Sequence, residues 1–111
     1  MTAIRNTLVV FSNAVDGQAD ELTAWYDDVH LPEIVELEGF TRATRMQLEP
    51  VDAGGKAPWQ FMVIYEVAGG RLEEAKAALA RMRAERKVPI SPSLAPGSRG
   101  YWYSVQAIHE S

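Results

Sequence analysis

The sequence predicts an α+β fold of the ferredoxin-like kind, β-α-β-β-α-β, a four-stranded antiparallel sheet with its helices on one face. Three observations carry this. Four short runs rich in β-branched and aromatic residues are spread over 111 residues. Stretches with helical spacing separate the first run from the second and the third from the fourth. The third run, Trp59–Val67, is apolar on both of its alternating faces, so this sheet needs cover on two sides.

Each element has a local reason. Thr7–Phe11, TLVVF, is a strand that ends before the turn signal Asp16-Gly17. Gln18–Val29 follows as a helix, with Leu22, Trp25 and Val29 on one face and Asp20 and Glu21 in the first turn, where acids suit the dipole. Leu31-Pro32 interrupts it, because the residue before proline avoids helical geometry. A new short helix runs over Pro32–Leu37 and stops at Gly39.

Phe40–Leu48 is the second strand. Strict alternation puts Phe40, Arg42, Thr44, Met46 and Leu48 on one face, and Thr41, Ala43, Arg45 and Gln47 on the other. Residues 50–58 are a turn-rich connection. After the third strand, Gly69-Gly70 leads into a helix over Leu72–Lys87 whose stripe is Leu72, Ala75, Leu79, Met82 and Arg86. Its last turns carry Arg81, Arg83, Arg86 and Lys87, the order the macrodipole favours, which reads as a solvated helix end and not a phosphate or RNA patch. Residues 88–100 form a loop with three prolines, either a lid or a packed surface arm. Tyr101–Ile108 is the fourth strand.

One chain of this size has no second layer for the other sheet face. A homodimer packing sheet on sheet supplies it, and leaves room for a cleft. A net charge of -4 and the absence of a dense basic patch argue against nucleic acid and against a membrane surface. No segment approaches a membrane span, and the N-terminal apolar run is short for a signal peptide, so a soluble cytoplasmic protein is expected. With no cysteine, disulfides, thiolate nucleophiles and cysteine-ligated metals are excluded. No phosphate-cradling glycine loop, serine elbow or metal-ligand spacing is present, so neither cofactor nor metal is expected.

The densest chemistry lies in Trp25–Ile34, WYDDVHLPEI. His30 is the one group there able to move a proton either way near neutrality. If the helix persists, Tyr26, Asp27 and His30 share a face; Asp27 would fix the imidazole tautomer and Tyr26 would donate a hydrogen bond. Otherwise His30 caps the helix end. Of Asp27 and Asp28, one orients His30 or Arg45 and the other is exposed. Arg45, if inward, binds a carboxylate or steadies an oxyanion; if not, it pairs with Asp28 or Glu66. Trp25, Trp59, Tyr65 and Tyr103 are candidate substrate contacts for a flat, apolar ligand, or else aromatics of the core and dimer seam.

The run from Trp25 to Leu48 resembles the signature of EthD-like proteins of the dimeric α+β barrel superfamily. Trp25-Tyr26, Asp27-Asp28, His30-Leu31-Pro32, Gly39-Phe40 and Arg42/Arg45 carry the likeness, which covers residues 7–48; the rest agrees in element order. It implies that residues 1–111 form one EthD-like domain in a homodimer. Superfamily activities include polyketide cyclases, muconolactone isomerases, cofactor-free monooxygenases and haem-degrading enzymes. The expected function is cofactor-independent acid–base catalysis (isomerisation, cyclisation or dehydration) on an aromatic or polyketide-like carbonyl compound; the alternative is a non-catalytic binding or accessory protein.

Overall fold

In the computed structural model, residues 4–49 and 57–111 are described. Most of the 50–58 connection therefore lies outside the described residues. The elements run β1 (Ile4–Ser12), α1 (Ala19–Trp25), a π-helical turn (Tyr26–His30), α2 (Leu31–Val35), β2 (Phe40–Gln47), β3 (Phe61–Ala68), α3 (Leu72–Glu85) and β4 (Arg99–Ser104). The sheet order is β2-β3-β1-β4 with every pair antiparallel, the ferredoxin-like arrangement.

The core lies between the helices and one sheet face. Phe61, Val63, Tyr65 and Val67 of β3, Leu8 and Ser12 of β1, Leu22, Tyr26 and Ile34 of the first helical stretch, and Ala75, Ala78 and Leu79 of α3 are all buried. On β3 the period of two is visible: odd positions are buried, while Met62, Ile64 and Glu66 on the other face are half-buried.

Three expectations need correction. The helix does not break at Leu31-Pro32. A proline ring crowds the carbonyl four residues earlier, and here the chain widens into the π turn, in which the Leu31 N–H bonds to the Tyr26 carbonyl five residues back. The wide turn carries the chain past Pro32 without leaving helical dihedrals at His30 or Leu31. Second, a register shift between Phe40 and Arg42 moves Phe40 onto the helix face with Ala43, Arg45 and Gln47, whereas strict alternation places it opposite them. Third, the last strand starts and ends earlier than its apolar run, at Arg99 and Ser104, and β3 begins at Phe61, so Trp59 precedes it.

The 88–100 segment is a packed arm on its own chain. Val15 N–H donates to the Ser93 carbonyl (2.8 Å) and Ala95 N–H to that of Asn13 (2.9 Å). The Ser93 hydroxyl reaches Gln18 Oε1 at 2.9 Å. Gly39, at φ +87°, joins α2 to β2 where α3 crosses. A Cβ there would sit 2.9 Å from Ala75 Cβ and 3.0 Å from the Arg71 carbonyl, so this glycine is required by both dihedral and space.

Candidate functional site

The π turn sets the site. Trp25 and His30 are five residues apart, one full π turn, so their rings stack at 4.5 Å and 11°. Tyr26 lies beside them, 5.9 Å from His30 between ring centroids. All three line a cavity of about 190 Å³ between sheet and helices. The sheet contributes Leu8, Val10 and Tyr65, α2 gives Ile34, α3 and the residue after it give Leu79, Met82, Arg83 and Arg86, and the arm closes with Ile90, Leu94 and Ser98. Two larger hollows lie elsewhere. One of 450 Å³ is a groove between the α2 and α3 ends; one of 400 Å³ is an apolar recess by Trp59 and Phe11, on the sheet's other face.

His30 does not cap a helix end, since the helix continues to Val35. Its Nδ1 is 3.2 Å from Glu33 Oε1, one turn on, and its side chain is 17% exposed. A carboxylate only accepts, so Nδ1 carries the proton and Nε2 keeps the lone pair. Burial pushes the imidazole below its ordinary value; Glu33 opposes this, and Arg86 and Arg83 add to it. Near neutrality His30 is therefore a neutral imidazole beside the cavity, able to accept a proton.

Of the two roles expected for the aspartate pair, orienting His30 or orienting Arg45, the structure shows the second. Asp27 does not reach His30. It holds Arg45 in a two-pronged pair, Nε–Oδ1 and Nη2–Oδ2 both at 2.7 Å, which keeps the Asp27 carboxyl below the usual range. Arg45 does face the helices, yet its partner is neither Asp28 nor Glu66; Glu66 pairs with Arg42 on the open face at 3.2 Å. This pair latches β2 to the π turn outside the cavity lining. The Tyr26 hydroxyl is bonded to buried Ser12 Oγ at 2.8 Å, and burial raises its pKa.

Trp25 and Tyr65 line the cavity, and burial pushes the Tyr65 phenol well up. Trp59 and Tyr103 lie away from it: Trp59 packs on Phe11, and Tyr103 is 54% exposed on the open sheet face. Sequence reasoning missed Glu33, Ser12 and Arg86. Glu33 is legible as an i,i+3 partner of His30 once the helix is allowed through Pro32. Ser12 shares the alternation of Leu8 and Val10. Arg86 was visible at the end of the inward α3 stripe, and reading it as solvated needs correction, because its Nη1 is buried.

Among the described residues, no cluster of three or more His, Cys, Asp or Glu could hold a metal ion, and no helix is long and apolar enough to cross a membrane. No protein-family model matches the chain, and no curated protein sequence does. Among solved structures, it is similar to one described as a "putative monooxygenase" from Shewanella loihica PV-4. That likeness has a TM-score of 0.64 at 18% identity and covers 97% of this chain and 99% of the other. At this identity the match establishes the α+β fold alone.

Proposed function

We propose that the protein is a cofactor-independent acid–base enzyme of the dimeric α+β barrel kind, EthD-like and cytoplasmic, acting on a small aromatic carbonyl or phenolic compound. The observation that carries this is His30: neutral through burial, held at Nδ1 by Glu33, stacked on Trp25 and lining a cavity whose wall is partly apolar. That is the arrangement of a general base, with a carboxylate fixing the tautomer and a cavity beside the imidazole to take the substrate.

In the reaction, Nε2 takes a proton from an acidic C–H next to a carbonyl, leaving an enolate. The Tyr65 phenol, kept protonated by its burial, is the donor suited to the enolate oxygen. His30 then returns the proton to a different carbon, which is isomerisation, or to a departing hydroxyl that leaves as water, which is dehydration. The cavity, about 190 Å³, is close to the ~150 Å³ of a site that accepts benzene and below the ~300–1,000 Å³ of drug-sized pockets. It favours a single ring over a multi-ring polyketide.

A second reading takes its support from the Shewanella loihica protein's description as a "putative monooxygenase". There the same enolate or phenolate, formed by the same His30, would react with dioxygen. Both readings share the first step, so that step is the test. Single-ring 1,3-dicarbonyl and phenolic ketone compounds are incubated with the protein in deuterated water, and exchange of the acidic C–H is followed by NMR. The protein accelerates exchange of at least one compound, and His30→Gln lowers that rate by about 100-fold or more. Oxygen uptake then separates oxygenation from isomerisation. Equal exchange in His30→Gln removes His30 as the base; tight binding with no exchange assigns an accessory binding role.

A further inference from the structure

Two hollows meet at one side chain. The His30 cavity, about 190 Å³, and the groove between the α2 and α3 ends, 450 Å³, are separate spaces, and among the described residues Met82 alone lines both. Helical spacing explains why. Along α3, Ala78, Arg81 and Glu85 turn to the groove, while Leu79 and Arg83 turn to the cavity; Met82 stands on the ridge between, a turn beyond both Ala78 and Leu79. The first helical stretch and the residues after it divide in the same way. His30 and Ile34 line the cavity, Glu33 and Leu37 line the groove, and the His30–Glu33 contact of 3.2 Å passes from one to the other. The partition is therefore thin: a thioether from α3 and an imidazole–carboxylate pair from the π turn and α2. Met82 packs half-buried against the core with a hollow on either side. An unbranched, adaptable side chain suits such an irregular gap.

We propose that Met82 is the specificity-determining residue of the site: its side chain closes the cavity towards the groove and so limits the substrate to a single ring. This rests on the reading of the cavity as the substrate site and names what sets its size range. The other walls do not offer a longer ligand a place. Leu8, Ile34, Tyr65 and Leu79 are buried floor, and growth past them would displace the core. Ile90 stands at the rim, 49% exposed, and growth past it leads to solvent. Past Met82 lies a second hollow whose wall includes the apolar Leu37, Ala78 and Val88. With Met82 cut back to Cβ, the joined space falls within the ~300–1,000 Å³ of drug-sized pockets. A second ring then extends into the groove while the first keeps its place beside His30. Removing Glu33 would open the same partition, but Glu33 holds the base, so Met82 is the position at which size can be changed apart from chemistry.

The test is calorimetric titration of the full chain with two probes of like chemistry, ortho-hydroxyacetophenone and the corresponding two-ring acetylnaphthol. The parent chain is expected to bind the single-ring ketone and to bind the acetylnaphthol about 10-fold more weakly or worse. Met82→Ala should tighten acetylnaphthol binding by about 10- to 100-fold while still binding the single-ring ketone, which also confirms that the variant folds. Met82→Val, a milder truncation, should move the same way by less, and Met82→Leu, nearly equal in volume, should keep the parent's limit. Ile90→Ala widens the rim without touching the groove and should admit no acetylnaphthol. Equal binding of both probes by the parent overturns the proposal. So does continued exclusion of the acetylnaphthol by folded Met82→Ala and Met82→Val, or an equal gain in Ile90→Ala, which would place the limit at the mouth. Binding of neither probe by the parent at millimolar concentration removes the cavity as the substrate site, and the proposal with it. Exchange of the ketone's acidic C–H in deuterated water keeps the two readings apart. A size range that follows Met82 with no exchange by any variant defeats the acid–base reading and leaves the gate standing. Exchange that depends on His30, with a size range unmoved by Met82→Ala, does the reverse.

Discussion

His30 is governed by opposing influences whose signs can be separated. Burial lowers its pKa most; the Glu33 hydrogen bond and charge raise it; Arg86 and Arg83 lower it again. The unfolded chain takes up this proton near the ordinary value of about 6.5, and the folded chain only at lower pH. Over that interval the unfolded state binds more protons, so folding stability falls as pH drops below about 6.5 and the loss levels off below the folded pKa. Glu33→Gln removes the influence that raises the pKa. It therefore moves the His30 titration further down and deepens the acid-side loss, while His30→Gln flattens that part of the profile. The chain has two histidines, so the two imidazole signals in a proton NMR titration are readily assigned, and urea unfolding at several pH values gives the stability. The acid limb of the exchange rate should follow the same order, lowest for Glu33→Gln. A His30 that titrates at or above 6.5 in the folded protein would sink this account. Asp27, by contrast, is half exposed and spends its charge on Arg45, so the pair acts as a latch worth no more than about 1 kcal/mol.

At the scale of elements, the order of strands and helices could be read directly, because each depends on short-range periodicity. The two-sided apolar pattern of β3 is present over Phe61–Ala68, and α3 buries Ala75 and Leu79 of its expected stripe, with Ala78 beside them. What could not be read were the departures from regular period. The π turn answers a local steric demand of Pro32 with one wide turn, while the local rule for a residue before proline predicts a break. That one turn changes which residues meet: Trp25 with His30, and Glu33 in place of Asp27. The shift between Phe40 and Arg42 likewise depends on packing, since Phe40 meets Tyr65 edge-on at 6.3 Å only from the helix face. Gly39, just before it, is the joint of three elements, and Gly39→Ala tests how tight that joint is. The residue would hold a positive φ, costing about 1–2 kcal/mol, and its methyl would press on Ala75 and Arg71, costing about 1–3 kcal/mol more. A total loss of about 2–5 kcal/mol in urea unfolding, with β2 and α3 loosened together, is the expected outcome. A loss below about 0.5 kcal/mol would mean that the joint yields freely.

At the scale of the molecule, the open sheet face is what the fold leaves unfinished. Register defines its rows. Thr44, Ile64, Val9 and Tyr101 lie side by side across the four strands, and Met46, Met62, Phe11 and Arg99 form the next row. A third row, Arg42, Glu66, Thr7 and Tyr103, is polar and carries an ion pair. Two mainly apolar rows across a whole sheet are more than a lone surface usually presents, and Tyr101 is 48% exposed on them. The proposed homodimer covers this face with the same face of a second copy, an isologous contact. Such an interface should remove about 800 Å² from each partner. The cavity with His30 lies on the opposite side of the sheet, so assembly and site chemistry can be separated. In sedimentation equilibrium the parent chain should be a dimer. Ile64→Lys, at the centre of the first row, should shift it to monomer, because a lysine there would be buried against its own copy without a partner. Its far-UV spectrum should stay α+β, and the proton exchange that depends on His30 should persist. A parent chain that sediments as a monomer would defeat the face-to-face assembly. An Ile64→Lys dimer would move the interface off this sheet face.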